Sequence, residues 1–291
     1  MKRLPVSAKC APVLEEKRAF CYNHKMVECV RRAAAACGCA GRGGTTMGRL
    51  EAYDKALDYS YAPGVFPATE CLKNAPGRCL RLLLSSQSEG SEGAARLREA
   101  ALAAGVRVEI ADRALERISR KENCFAAMVY RKQEGVFDQA APHIVMHHPS
   151  DSGNMGTILR TALGFGMTNV AVIRPAVDSD DPRVTRASMG AAFSLNVRHF
   201  DTFEAYREEF PDRQLFPFML TGAVTLDEAV SRVSGPFSLV FGNEASGLPD
   251  SFAALGISTL IPHSGKIDSL NLAVAAGIGM HAFAQAALLL K

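Results

Sequence analysis

The sequence predicts an α/β protein whose second half is built on a mostly parallel sheet. Beyond residue 142, short apolar runs ("HIVMHH", "NVAVIRP", "QLFPFML", "FSLVFG", "GISTLIP") alternate with helical patterns ("NMGTILRTALGFG", "TFEAYREEF", "TLDEAVSRV"). Strands this apolar, separated by helices, belong in a parallel sheet covered on both faces. A chain of 291 residues, 48% of them hydrophobic, also has the length and apolar content for more than one domain.

From the N-terminus, residues 13–38 look helical, and "GCAGRGGTTMG" (38–48) is a glycine-rich break expected to act as a linker. Residues 1–59 therefore read as a partly helical extension, and it is basic: residues 1–50 hold ten Lys/Arg against three Asp/Glu, whereas the remainder holds 23 against 27. Such a head suits phosphate backbones, although a solvated helix face gives the same composition. All eight cysteines lie between Cys10 and Cys124 without a C-x-x-C pair, which argues against a zinc ribbon and for reduced thiols. Cys21, Cys29, Cys37, Cys39 and His24 have the makings of an irregular metal site, but small apolar helix positions account for them better, and no metal is expected. The first twenty residues lack the apolar core of a signal peptide, so a cytoplasmic protein is expected.

Residues 60–133 read as a small α/β domain: helix ("VFPATECLKNA"), strand ("CLRLLLS"), helix ("AARLREAALAAG"), strand ("VRVEIA"), helix ("RALERIS"), strand ("FAAMVYR"). "KQEGVFDQAAP" (132–142) is polar enough to be the next linker, and residues 142–291 form the parallel-sheet domain. Its final uncharged run, 272–290, is long enough to raise a membrane span, yet it contains His281, Gln285, two glycines and many alanines. A buried or subunit-interface helix is the better reading, and no membrane is expected.

Ligands of such sheets bind beyond the carboxyl ends of the strands, where Gly242 and Pro262 stand. Phosphate-binding motifs are missing: there is no G-x-x-x-x-G-K-[ST], and Gly164-Phe165-Gly166 follows a helix and lacks the third glycine of a dinucleotide fingerprint. Three other segments place polar residues at turns. In "SGNMGTILRTALGFG", Asn154 is positioned to cap a helix and Arg160 lies one to two turns inside it. In "LVFGNEASGLP", Asn243 and Glu244 follow a buried strand. In "IPHSGKIDSLNLAVAAGIG", Asp268 or Ser269 is a good N-cap for the last helix, with Leu270 and Asn271 at its start.

Taken in this order, together with "DPRVTRASMGAAF" between the first two, the segments resemble the motifs of the SpoU or TrmH-type RNA ribose 2′-O-methyltransferases of the SPOUT superfamily, over roughly residues 144–287. Residues 60–133 are similar, more weakly, to the substrate-binding domain often joined to that family, which is like small RNA-binding ribosomal proteins. The resemblance implies a trefoil knot, S-adenosylmethionine as cofactor and a homodimer. Periodicity implies none of these, and chain-topology rules alone predict an unknotted doubly wound sheet. By motif, Gly242, Ile261 and Leu270 would line the cofactor pocket, with Thr221, Asn243 and His263 as neighbours. Asn154, Arg160, Glu244, Ser269 and Asn271 match the polar residues of the family's active site. His147 and His148 match no functional position and read as strand-end residues.

The activity implied is methylation of a ribose 2′-hydroxyl in structured RNA, ribosomal RNA ahead of transfer RNA. A guanidinium is a poor free base, so Arg160 is expected to stabilise charge, with Glu244 orienting it and accepting the proton through water. Ser269 is expected to cap the last helix, Leu270 to touch cofactor and Asn271 to fix the loop or the arginine. The competing function is a catalytically silent RNA-binding ribosome-assembly factor. The retained polar set argues against it, and the Ser-Leu-Asn segment favours the ribose over the base-methylating branch.

Overall fold

The computed structural model describes residues 50–119 and 124–287. The helix and linker expected over 13–48, the basic head and the Cys21–His24–Cys29–Cys37–Cys39 group lie outside these residues.

Two main sheets organise the chain. The first has strand order β1-β4-β2-β3, with β1 Tyr59–Pro63, β2 Cys79–Leu84, β3 Arg107–Ile110 and β4 Ala126–Arg131. Helices α1 (Val65–Asn74) and α2 (Glu92–Ala103) cover one face through Ala68, Cys71, Leu72, Leu97 and Ala101. Helix α3 (Asp112–Ser119) covers the other through Leu115 and Ile118, beside Leu50 and Tyr59. Strand β1 has no counterpart among the elements that the sequence pattern predicts. "YSYAP" does not alternate, because β1 is buried at all five positions. Tyr59 and Tyr61 pack with α3, and part of the cover comes from far along the chain, where the Ser60 hydroxyl donates to the Asp180 carbonyl.

The second sheet has order β7-β6-β5-β10-β8, every pairing parallel: β5 His143–His147, β6 Asn169–Ile173, β7 Asn196–Phe200, β8 Gln214–Pro217 and β10 Phe237–Phe241. Helices α4 (Ser152–Gly164), α7 (Leu226–Ser231) and α8 (Leu272–Ala286) bury Ile158, Leu159, Ala229, Met280 and Phe283 on one face. Helix α6 (Phe203–Glu209) and the segment around Phe252 cover the other with Phe203, Tyr206 and Phe252. A short helix α5 (Pro182–Ala187) packs on α4 and on β1. From β5 the chain moves to β6 and β7 on one side, while β10 and β8 lie on the other, so the crevice between the carboxyl ends of β5 and β10 is the switch point.

Two expectations need correction. "GISTLIP" gives no strand of the main sheet, only β11 (Thr259–Leu260), paired with β9 (Val224–Thr225) in a two-stranded ribbon. Strand β8 ends on Pro217, which has no N–H to offer, and Phe218 already donates to Val240, so the outer edge of β8 cannot carry a full further ladder. Nor is the 132–142 stretch a free linker. It is a docked strap: Gly135 N–H donates to the Val197 carbonyl at 2.9 Å, and a Cβ on Gly135 would lie 2.5 Å from the Asn196 Cα. Phe137 is buried in the second core.

Buried Arg213 fastens the end of the strap. Its guanidinium donates to the carbonyls of Gln139 (2.8 Å), Ala141 (2.6 Å) and Phe237 (2.5 Å) and to the Ser238 hydroxyl (2.9 Å). Tyr206 continues the network to Ser238 at 2.7 Å and to His143 Nδ1 at 2.9 Å. Burial, aided by the Arg213 charge, pushes the His143 imidazole down to about 3. Where the two sheets meet, Tyr53 donates to Asp178 (2.6 Å), and Lys132 pairs with Asp178 (2.9 Å) and Arg78 with Asp180 (3.3 Å). No helix of the described residues is long and apolar enough to cross a membrane.

Removing the Arg213 side chain leaves several buried acceptors unpaired, each worth about 1–3 kcal/mol. Arg213→Ala is therefore expected to destabilise by roughly 3 kcal/mol or more in urea unfolding, and Arg213→Lys to recover only part, because one ammonium cannot span four acceptors. His143 supplies a pH signature. Its folded-state value is depressed while the unfolded chain takes up the proton near 6.5, so stability falls as pH drops from about 6.5 towards 3. A His143→Gln variant should show a shallower decline over that window.

Candidate active site

The site is assembled from three segments that converge on the β5–β10 crevice. Beyond β5, His148 takes a left-handed backbone (φ 57°) that turns the chain, and the segment 149–151 leads into α4. Beyond β10, Gly242 opens a tight turn closed by Asn243 and Gly247, each N–H donating to the other's carbonyl (3.1 and 2.9 Å). Gly247 has φ 68°, and a Cβ on Gly242 would sit 2.2 Å from the Gly247 carbonyl carbon, so no side chain is admitted there. The third segment is the start of α8.

Glu244 joins the first two. Its Oε2 accepts from the Ser150 amide (3.0 Å) and hydroxyl (2.8 Å), and its Oε1 from the Asp151 amide (3.1 Å) and Asn154 Nδ2 (3.3 Å). Asn243 reinforces the junction by donating to the His148 carbonyl at 2.8 Å. Asn271 Nδ2 then donates to Asn154 Oδ1 at 3.1 Å, which brings in the third segment. Burial alone would raise the Glu244 carboxyl, but its own amide, the Ser150 hydroxyl and the Asp151 and Ser150 amides outweigh it and hold the group below the ordinary carboxylate range.

The capping roles differ from those that the sequence predicts. Asp151, not Asn154, is the N-cap of α4: its carboxylate accepts from the Asn154 amide at 2.7 Å, which frees the Asn154 side chain to bridge Glu244 and Asn271. Asn271, not Ser269 or Asp268, caps α8 by accepting from Ala273 (2.9 Å) and Val274 (3.3 Å). Sequence reasoning passed over Ser150 and Asp151. The available signal was the Asp three residues ahead of Asn154, just before the first buried helix position, Met155.

Arg160 stands apart. It is six residues past Asn154, roughly 240° round the helix and about 9 Å along it, and exposed. It makes no hydrogen bond or ion pair with any described residue. The expected Glu244–Arg160 contact does not exist within the chain. The carboxylate accepts from five donors, those four and Asn243 Nδ2 at 3.4 Å, which fill the acceptor capacity that a general base needs; the proton-accepting role expected for Glu244 is set aside for that reason.

Beside this network lies a cavity of about 350 Å³, open on one side. Thr221, Gly242, Asn243, Ile261, His263 and Leu270 all border it, as do Glu244 and Ser269, while Asn154, Arg160 and Asn271 do not. Its floor is apolar, formed by Phe218 and Phe241, whose rings stack at 4.5 Å. His263 Nδ1 is 3.1 Å from the Ile261 carbonyl, which fixes the ring by an Nδ1–H donor and leaves Nε2 without a hydrogen-bond partner among the described residues. Larger clefts, about 810 and 830 Å³, flank the strap where the two sheets meet, but most of the charges that line them are paired, Arg78 with Asp180, Lys132 with Asp178, Arg174 with Asp201 and His199 with Glu134. Among the described residues no group of three or more His, Cys, Asp or Glu is placed to hold a metal ion.

Residues 141–281 match the sequence model of the SpoU rRNA methylase family. A protein named as an uncharacterised tRNA/rRNA methyltransferase of Synechocystis is 31% identical over 143 residues, 47% of this chain and 51% of that protein. The 23S rRNA (adenosine(1067)-2'-O)-methyltransferase of Streptomyces azureus is 33% identical over 134 residues, 44% of this chain and 49% of that protein. The chain thus spans about half the length of the curated relatives it matches. The SpoU methyltransferase AviRb of Streptomyces viridochromogenes, solved in complex with AdoMet, superposes with a TM-score of 0.66 over 79% of this chain and 91% of that one at 24% identity, a likeness of fold.

The cap assignment is testable by thermal unfolding. Asn271→Ala should cost about 1 kcal/mol or more, the usual loss for an N-cap asparagine. Ser269→Ala, at an exposed residue, should stay within about 0.5 kcal/mol.

Proposed function

We propose, from the premise that residues 141–281 form a SpoU-family methylase domain, that the protein methylates a ribose 2′-hydroxyl in structured RNA using S-adenosylmethionine. The preferred substrate is ribosomal RNA, with transfer RNA as the rival, and the working form is a cytoplasmic homodimer. The observation that carries this reading is the convergence of Thr221, Gly242, Asn243, Ile261, His263 and Leu270 on one cavity beside the Asn271–Asn154–Glu244 chain. We extend it to a trefoil knot through the loops around that cavity. We also propose a division of the chain into a basic extension (1–59), an RNA-holding domain (60–133) and a transferase domain (142–291). Exposed Arg98, Arg113 and Arg117 on the helices of the first sheet support the second assignment.

The cavity suits the cofactor. Bare backbone at Gly242 and the Phe218, Phe241 and Leu270 side chains offer apolar surface for a purine, and the turn and loop edges offer main-chain polar groups. When bound, S-adenosylmethionine supplies an electrophilic methyl group on a sulfonium. The protein's part is chiefly positioning for in-line attack. The N-termini of α4 and α8 meet at the Asn154–Asn271 contact, and their partial positive charge favours a phosphate or a developing alkoxide there. Glu244 holds the loops that carry these ends.

Arg160 cannot join that network within one chain, and this is what makes the dimer part of the mechanism. It projects from α4 next to α8, where Thr161 approaches Gly277 and where Val274 and Ile278 are exposed apolar residues. A second copy packed on this face would receive Arg160 from its neighbour and use the fixed guanidinium fork to stabilise charge.

The direct test is transfer of a tritiated methyl group from the cofactor to total RNA of cells lacking the gene, followed by nucleoside analysis. Ribose methylation supports the reading, and binding without transfer supports the silent assembly factor. Arg160→Ala is expected to keep cofactor affinity while transfer falls at least about a hundredfold. Mixing Arg160→Ala with cofactor-blocked Gly242→Ala should restore part of the activity if arginine and cofactor come from different subunits. No restoration would mean that each site is completed within one chain.

A further inference from the structure

Of the five donors on Glu244, two belong to one residue that no motif contains. We propose that Ser150 is a positioning residue for methyl transfer: its amide and hydroxyl hold the Glu244 carboxylate, and through it set Asn154 and Asn271 across the crevice. The inference rests on the transferase reading above and names the residue that orients its polar chain.

The geometry makes the hold conditional on charge. Every group aimed at the carboxylate is a donor: the Ser150 amide and hydroxyl, the Asp151 amide, Asn154 Nδ2 and, at 3.4 Å, Asn243 Nδ2. An ionised carboxylate accepts from all five, whereas a carboxylic acid carries a proton of its own and must turn it towards one of them. Only the Ser150 hydroxyl can rotate to accept it, and the ionised pairing is the stronger of the two. Protonation therefore loosens the link between the β5–α4 turn and the β10 turn. It also releases Asn154, whose Nδ2 is bonded to Glu244 while its Oδ1 accepts from Asn271.

The surrounding titratable groups do not replace Glu244 in this role. Asp151 is occupied as the cap of α4. His148 meets Asn243 through its carbonyl, and its ring stacks on His147 at 3.8 Å. Asp250 and His263 lie across the cavity that Glu244 borders. Arg183 on α5, near Asp151, is tied to Asp181 at 2.7 Å. None of these pairs with the Glu244 carboxylate. Ser150 is exposed, so its hydroxyl contributes to no core, and its substitution tests the hydrogen bond with little disturbance of packing.

The experiment compares wild type, Ser150→Ala, Ser150→Thr and Glu244→Gln by two readouts: the pH profile of methyl transfer to RNA from cells lacking the gene, and carbon-13 NMR titration of the Glu244 carboxyl. Affinity for S-adenosylhomocysteine serves as the control. Ser150→Ala should move the acid limb of the profile and the Glu244 titration together to higher pH, lowering turnover on that limb about tenfold, the scale of one charge-assisted hydrogen bond. Product affinity should hold. Ser150→Thr, which keeps both donors, should restore limb and titration, and Glu244→Gln should lose the limb. A uniform rate loss with an unmoved limb, or a folded Ser150→Thr that restores neither readout, overturns the proposal. Wild-type protein that binds no S-adenosylhomocysteine and transfers no methyl defeats the transferase reading itself, whereas wild-type transfer with both Ser150→Ala readouts unmoved defeats only the role of Ser150.

Discussion

One carboxylate ties the crevice together. Glu244 lies on the turn after β10, and four of its donors lie some ninety residues earlier, on the turn after β5 and the first turn of α4. The parallel sheet brings these two carboxyl ends side by side but does not bond the loops beyond them. The Glu244 bonds do, which ties the β10 turn that borders the cavity to the β5–α4 turn beside it. The capping pattern follows from the same constraint. Because Asp151 takes the α4 cap, Asn154 is spared for a lateral contact, and because Asn271 caps α8 with its carbonyl oxygen, its amide is free to reach Asn154. Each side-chain amide uses both ends, one towards each neighbour.

The opposite end of the sheet is built on a different principle. There Arg213, Ser238, Tyr206 and His143 form a closed network in which the cation meets neutral oxygens and the histidine stays uncharged. Buried polar groups are tolerable only when fully paired. Here the pairing also fastens the strap that joins the two sheets. The anchored end fixes the framework while polar groups at the crevice remain accessible, the division expected when rigid strands carry functional loops.

Much of the fold is legible in the sequence because burial writes periodic signals. The strands 143–147, 169–173 and 237–241 are apolar on both faces since both are covered, and α1, α2, α4 and α8 stand out by their apolar stripes and length. The failures are also physical. Strand β1 hides because part of its cover comes from residues 180–187, more than a hundred positions away, and no local pattern records that. The strap reads as a linker by composition, yet it is pinned through backbone carbonyls, which composition does not encode. At the site, the motifs that carry the family resemblance group Gly242, Ile261 and Leu270, and all three border one cavity. They do not decide which of two neighbouring polar residues becomes the cap, since Asp151 against Asn154 and Asn271 against Ser269 differ by a turn in the backbone rather than in chemistry.

Glu244 and Arg160 show the limit most clearly, for opposite charges in matching motifs invite an ion pair that the folded chain does not make. The carboxylate gains more from five fixed donors than from a long cation that would have to cross the helix face to reach it, and an exposed pair would contribute little. Freed from that pairing, Arg160 keeps its full donor set on the surface of α4, beside exposed Val274 and Ile278 of α8. An arginine withheld from its own chain's acidic group is suited to a phosphate or to charge that develops during reaction, because nothing internal has to be broken before it engages. On the proposed reading, the same arrangement leaves Arg160 to act on a second copy of the chain rather than on its own cavity.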